Sequence, residues 1–307
     1  MTYEDLCRGY ARRGMTLRRT ALVALAAILA IGSWIAPSAA SARVRIAFTS
    51  GRSGNMDVWL MNADGSHLRR ITTARAGDRH PTWAPDGRHL GFMSMRANGN
   101  PDIYRMRIDG SHVRRLTYAA GEDCCPEWSP NGRRIVFESH RTGNFDIFVM
   151  RADGSHQIDL TPNGVYDGTP TWSADGRRIA FRSTRAGTND IFVMKADGSH
   201  VRRVPGHGLN RTPCWSPTRP RIAFVSNRSG NDEIWVMRPD GGHLRQLTFN
   251  HATDRDPSWS ANGRWIAFES NRTGNWEIFK MRANGSHVTR LTFNGADDIL
   301  PAWRGSR

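Results

Sequence analysis

EDCCPEWSPNGRRIVFESHRTGNFDIFVMRADGSHQIDLT, residues 122–161, is one unit of a pattern that fills most of the chain. CPEWS alternates toward a strand and meets PNGR. There Pro130 suits the first corner of a tight turn, and Asn131-Gly132 supplies the positive-φ positions that close it. RIVFES is the next strand. The polar loop HRTGN leads into FDIFVMRA, and Asp153-Gly154 makes a second hairpin turn. A short fourth strand follows around Ile158 to Thr161. Both faces of such a sheet carry apolar residues, so one unit cannot bury itself alone and must stack on copies.

Six copies are present. The tryptophan recurs at Trp83, Trp128, Trp172, Trp215, Trp259 and Trp303, with gaps of 45, 44, 43, 44 and 44 residues. An apolar run keeps step with it: IAF at 46, LGF at 90, IVF at 135, then IAF at 179, 222 and 266. A period of about 40–45 residues with several short strands per unit is the signature of a β-propeller. The expected architecture is all-β: a six-bladed β-propeller with four antiparallel strands per blade, spanning residues 43–307. The repeat region opens on a second strand, VRIAFTS, and finishes on a first strand, LPAWRG. Closure therefore requires the C-terminal strand to pair with the N-terminal blade, which removes the exposed sheet edges. One turn is irregular. Trp215 is followed by SPTRP, which lacks the glycine, so that hairpin must close differently.

Residues 1–42 have another character. Arg12, Arg13, Arg18 and Arg19 precede an apolar run from Ala21 to Ala36, and PSAASA follows. That order is a secretory signal peptide, with cleavage expected after Ala42. An uncleaved anchor is the alternative, and it would be the chain's one contact with a membrane. The expected location is periplasmic or secreted. The formal charge of +15 is almost all arginine, since Lys195 and Lys280 are the only lysines. The arginines fall at repeating positions, and no basic helix or reader motif accompanies them, so no nucleic-acid partner is expected. Beyond the leader lie Cys124, Cys125 and Cys214, an odd number that describes no disulfide framework. No metal, cofactor or redox role is expected of them.

The units PTWAPDGR, PEWSPNGR, PTWSADGR and PSWSANGR, with their later strand and A-D-G-S turn, resemble the WD-like repeats of TolB-type propellers. The resemblance covers residues 44–304. It implies export, a six-bladed ring, and a binding rather than catalytic habit, with the lipoprotein Pal as the family's partner at the ring mouth. TolB proper carries an α/β domain before its propeller, whereas here the repeats follow the leader directly. A Pal-like partner is thus implied by the resemblance alone.

Residues found in every blade are explained by what every blade needs. A serine and then an arginine follow each second strand, as in Ser139 and Arg141, and an acid comes five or six residues later, as in Asp146. Arginine forks suit carboxylates, so the expected pairing is between these two. A histidine follows each second turn at His67, His112, His156, His200, His243 and His287. One histidine per blade cannot share an ion whose ligands sit roughly 2 Å from it, so these are expected to be exposed turn residues.

Function is sought where the copies differ. The loops from each fourth strand to the next first strand converge on one mouth of the channel: ARAGDRH, YAAGEDCC, PNGVYDGT, PGHGLNRT, FNHATDRD and FNGADDIL. Three residues before each proline of the P-x-W motif stand Asp78, Asp123, Asp167, Asn210, Asp254 and Asp298. The acids are candidate partner-binding groups or, alternatively, acceptors for loop backbone. With them we group Arg79, His80, Tyr166, His207, Arg211, His251, Arg255, Asp256 and Asp297 as a mouth that grips a protein or peptide. The protein is expected to be a monomer without catalytic residues. The competing class is a metal-dependent lyase or lactonase using His80, His207 or His251 with nearby acids. Neither a G-x-S-x-G elbow nor H-E-x-x-H spacing supports an enzyme.

Overall fold

The structure, a computed structural model, describes residues 45–304 except Asn98; the expected leader lies outside the described residues. These residues form six four-stranded antiparallel sheets, with no helix among them. In the Trp128 blade the strands are Asp123–Trp128, Arg134–Ser139, Asp146–Arg151 and Ile158–Asp159. The other first strands are Asp78–Trp83, Asp167–Trp172, Asn210–Trp215, Asp254–Trp259 and Asp298–Trp303. Successive first strands touch one another right around the ring, which places them innermost.

Closure follows the sequence. Asp298–Trp303 pairs antiparallel with Arg45–Ser50, in a register that sets Trp303 opposite Ile46 and Asp298 opposite Ser50. One blade is thus built from both ends of the repeat region.

Second strands such as Arg134–Ser139 show no polar alternation, because neighbouring blades cover both of their faces. Their phenylalanines, Phe48, Phe92, Phe137, Phe181, Phe224 and Phe268, are all fully buried and form the deepest layer between blades. Tryptophan staples some of the seams. Trp83 Nε1 donates to the Ala302 carbonyl and Trp259 Nε1 to the Cys214 carbonyl, each at 3.1 Å.

The second turn repeats because it touches the preceding blade. A Cβ on Gly154 would stand 2.7 Å from the Leu116 carbonyl oxygen, and one on Gly110 would stand 2.6 Å from that of Ile71. Only glycine permits that approach at φ near 90°. The histidine two residues later is also left-handed, at φ 55 in His156, and it is exposed, as expected. The glycine-free hairpin after Trp215 keeps the usual closing bond, Ser216 N–H to the Arg221 carbonyl at 2.9 Å, and exposes residues 217–220.

Candidate functional site

Two consecutive rings of side chains stand at the mouth end of the first strands. The outer ring is made by the residue that opens each first strand. Strand pairing puts Asp123 opposite Ser139, and Ser139 in turn opposite Asp146, so the serine has an acid on each flank. Arg141 donates from Nε to Ser139 Oγ at 2.8 Å and from Nη2 to both Asp123 oxygens at 2.9 Å. Its guanidinium also lies over Phe137 and Phe148, at 5.5 and 4.7 Å from the ring centroids. The same clamp recurs as Arg52–Asp298, Arg96–Asp78, Arg185–Asp167 and Arg272–Asp254, and as Arg228–Asn210 in the Trp215 blade.

This corrects the expected pairing. The arginine turns inward to the first-strand residue, not to the third-strand acid, and in four blades a fourth-strand arginine holds the third-strand acid instead. Arg70 holds Asp57, Arg115 holds Asp102, Arg203 holds Asp190 and Arg290 holds Glu277. Where Asp159 replaces that arginine, burial and then Asp159 push the Asp146 carboxyl up, and burial and then Asp167 push Asp159 up. The first-strand acids Asp78, Asp123, Asp167, Asp254 and Asp298 are fully buried. Their strongest acceptor sites are thus engaged by arginine.

The inner ring lies two residues further along. Each first strand slips register between its second and fifth residues, as between Cys124 and Glu127 or Arg255 and Ser258. The cause is the proline of P-x-W. It has no N–H to give the ladder, and so it belongs at a bulge. The residue before it adopts a left-handed backbone in all six blades: His80, Cys125, Thr169, Thr212, Asp256 and Leu300, with φ from 43 to 56. Apart from the two threonines, the copies share only geometry here.

One half of the inner ring collects thiols and acid. Cys124 and Cys125 both point Sγ at Glu138 Oε1, at 2.9 and 3.3 Å, and His80 Nδ1 lies 3.6 Å from Cys125 Sγ. Glu138 Oε2 accepts the Thr169 N–H at 2.7 Å and the Tyr166 hydroxyl at 3.4 Å. Arg182 sits over the Tyr166 ring at 4.2 Å. Burial, and secondarily the charge of Arg79, lowers His80 to about 3, so its imidazole is neutral. Burial first and Glu138 next push the Tyr166 phenol well above its ordinary value.

The opposite half is an acid–arginine cluster. Arg211 and Arg255, from neighbouring blades, both bind Asp232, and Arg255 lies 5.4 Å from the Trp276 ring centroid. Burial raises Asp256 to about 6, and burial together with Asp256 pushes Glu269 up. Glu269 Oε2 accepts the Leu300 N–H at 2.8 Å.

Of the remaining candidates, Asp297 accepts the Trp276 N–H at 3.1 Å and stays at the mouth. Arg79 is buried next to His80, whereas His207 and His251 are exposed on their loops. The grouping of His80, His207 or His251 with acids does not assemble among the described residues; the cluster of metal-capable side chains there is Cys124, Cys125 and Glu138. Sequence reasoning missed Glu138, Arg182 and Glu269. Their signal was a charge inside an otherwise apolar second strand, just before the serine, where other blades carry Thr49, Met93 and Val225.

Comparison with known proteins agrees with this geometry. Residues 119–208 and 205–306 match the TolB beta propeller domain, and residues 38–145 match the Tricorn protease N-terminal beta propeller domain. The Tol-Pal system protein TolB of Geobacter sulfurreducens is 41% identical over 46 residues, 15% of this chain and 11% of that protein. Matches to curated relatives thus span only 11–18% of the relatives' own length. Among solved structures, TolB from Acinetobacter baumannii aligns with a TM-score of 0.76 at 22% identity, over 85% of this chain and 67% of that one. A putative TolB from Agrobacterium tumefaciens gives 0.68 at 22% identity, over 83% and 91%. At such identity the likeness is one of fold.

Proposed function

Because the chain belongs to the TolB beta propeller domain family, we propose that it is an exported interaction module of the cell envelope, binding a protein or peptide at the mouth of its channel. The observation that carries this is the contrast between the rings. The framework repeats around the ring, with one asparagine substitution, whereas the bulge residues and the loops above them are unlike from blade to blade. A scaffold holding dissimilar side chains around one axis suits the recognition of an asymmetric partner. Arg211, Arg255, Trp276 and Asp297 offer charged and aromatic contacts of the kind that anchor such interfaces. His207 and His251 add exposed polar groups above them. The role assigned to the Geobacter relative by its name, in a Tol-Pal system, makes a lipoprotein of the Pal kind one candidate. The protein would work as a monomer in the periplasm or outside the cell.

The test is affinity capture from envelope extract with the wild-type protein and with an Arg255→Ser, Asp256→Asn, His251→Ala variant. Asp254 is left intact because it is a clamp acid. A partner retained by the wild type and lost by the variant, with a cooperative melting transition kept, supports mouth binding. Equal capture by both would place recognition elsewhere.

A further inference from the structure

The inner ring contains a chemical grouping that partner recognition does not require. Cys124 is almost completely buried, Cys125 and Glu138 follow it into the same space, and their ligand atoms all lie within 4.8 Å of one another. Adjacent residues of a strand ordinarily point to opposite faces. Cys124 and Cys125 do not, because Cys125 takes a left-handed backbone at φ 52 inside the bulge. The bulge therefore turns a vicinal pair into two sulfurs facing one carboxylate oxygen.

The neighbouring blade adds His80, whose Nδ1 stands 3.6 Å from Cys125 Sγ. His80 faces that thiol from outside the cluster, whereas two thiols and a carboxylate make a three-ligand set of the type that binds zinc with its fourth position open to solvent. Tetrahedral zinc with bonds of about 2.0–2.3 Å separates its ligand atoms by roughly 3.3–3.8 Å. The Cys125–Glu138 distance of 3.3 Å falls in that range, and the Cys124–Glu138 distance of 2.9 Å needs only a small opening. Support from behind is in place as well. The Thr169 N–H and Tyr166 hydroxyl hold Glu138 Oε2, which leaves Oε1 aimed at both sulfurs. Outer partners of this kind orient metal-binding carboxylates.

We propose that Cys124, Cys125 and Glu138 form a zinc site on the wall of the Trp128 blade, with His80 facing Cys125 from the Trp83 blade outside the three-ligand set. Two thiolates select a thiophilic ion over calcium or magnesium, which take oxygen ligands. The two thiol protons leave to solvent as the ion enters, and no redox change is involved. Cys125 and His80 are only partly buried, so the ion reaches the site from the channel. The site stands independently of the recognition role, since metal uptake is measured without any partner.

The experiment titrates the purified, reduced protein with cobalt(II) as a spectroscopic probe and then displaces it with zinc. One ion per chain with an intense thiolate-to-cobalt charge-transfer band is expected. Cys124→Ser and Cys125→Ser should each abolish that band. They should also weaken binding by more than the roughly 10–100-fold that loss of an outer-sphere partner costs. Cys214→Ser should bind as the wild type does. If a serine variant does not fold, alkylation of the wild type decides: zinc should shield Cys124 and Cys125 and leave Cys214 unchanged. Cobalt uptake without a thiolate band, a band that survives Cys124→Ser, or unshielded thiols would overturn the site. So would a Cys124–Cys125 disulfide that, once reduced, gives no metal uptake.

Discussion

Asp254 and Asp256 lie two residues apart on one strand and teach opposite lessons. Asp254 is fully buried, accepts two hydrogen bonds from Arg272 Nη2 at 2.9 and 2.7 Å, and shares its role with the residue that opens every other first strand. Asp256 sits on the bulge, where other blades place histidine, cysteine, threonine or leucine, and burial raises its carboxyl to about 6. The first position repeats because each blade needs the same joint. The third varies because the proline frees it from the ladder, and the fold makes little demand on its side chain. The joint that every blade repeats and the position free to vary are thus two residues apart on one strand.

The severest way to break this comparison removes both positions at once. Deleting residues 296–307 takes away the clamp acid Asp298, the bulge residue Leu300 and the strand that pairs with Arg45–Ser50. It also removes Ile299 and Trp303 from the core and opens a sheet edge. The cooperative melting transition should disappear. An unchanged transition in thermal unfolding would mean that the ring does not depend on its latch.

Asp254→Ala comes next. It strands the Arg272 guanidinium over Phe268 and Phe279 without its acceptor. Losing one partner of a buried ion pair costs about 3–5 kcal/mol, visible as a lowered denaturant midpoint. Asp256→Asn should act in the other direction at neutral pH. A carboxyl whose folded pKa exceeds its unfolded value binds its proton more tightly when folded. The stability it confers is therefore complete below the unfolded value and is lost as pH rises through the folded one. For Asp256 that window runs from the ordinary 3.8 to about 6. Asparagine mimics the protonated form, so the variant should gain on the order of 3 kcal/mol at pH 8 and nothing below pH 4. Urea unfolding across that range measures it, and a variant that loses stability at pH 8 would erase the contrast with Asp254.

The two rings were unequally legible in the sequence. The period of the tryptophans, the N-G and D-G turns and the dangling LPAWRG strand led directly to six blades and their closure. Those signals are local, and each has one geometric solution. The clamp was visible as a recurring Ser–Arg–acid set, but its partner was misassigned. Ser139 has Asp123 on one flank and Asp146 on the other, and spacing along the chain cannot tell the two apart. The bulge ring was not seen. Its cue was the proline of P-x-W inside a strand, which argues for a bulge, and the charge of Glu138 in RIVFES, which has to meet something polar. What no linear signal held was that His80 and Cys125, a whole repeat apart, face each other across a seam.

The mildest prediction probes whether the third position is as free as the comparison implies. Thr212 is β-branched, almost buried, and held at φ 43, where a branched side chain is an outlier. In a regular strand, glycine in its place would cost up to about 1 kcal/mol through backbone entropy and lost packing. At Thr212 the relief of a left-handed conformation costing roughly 1–2 kcal/mol works against that loss. Thr212→Gly should therefore melt within about 0.5 kcal/mol of the wild type, or slightly above it. Thr171, on the regular part of its strand, is the control. Its hydroxyl accepts the Trp215 N–H at 3.2 Å and donates to Glu127 Oε1 at 3.2 Å, so Thr171→Gly breaks a seam between blades. Chemical denaturation of the two variants should separate them by about 1–2 kcal/mol. Equal losses would show that the bulge is packed as tightly as the framework and that its residues are not free to be chosen for a ligand.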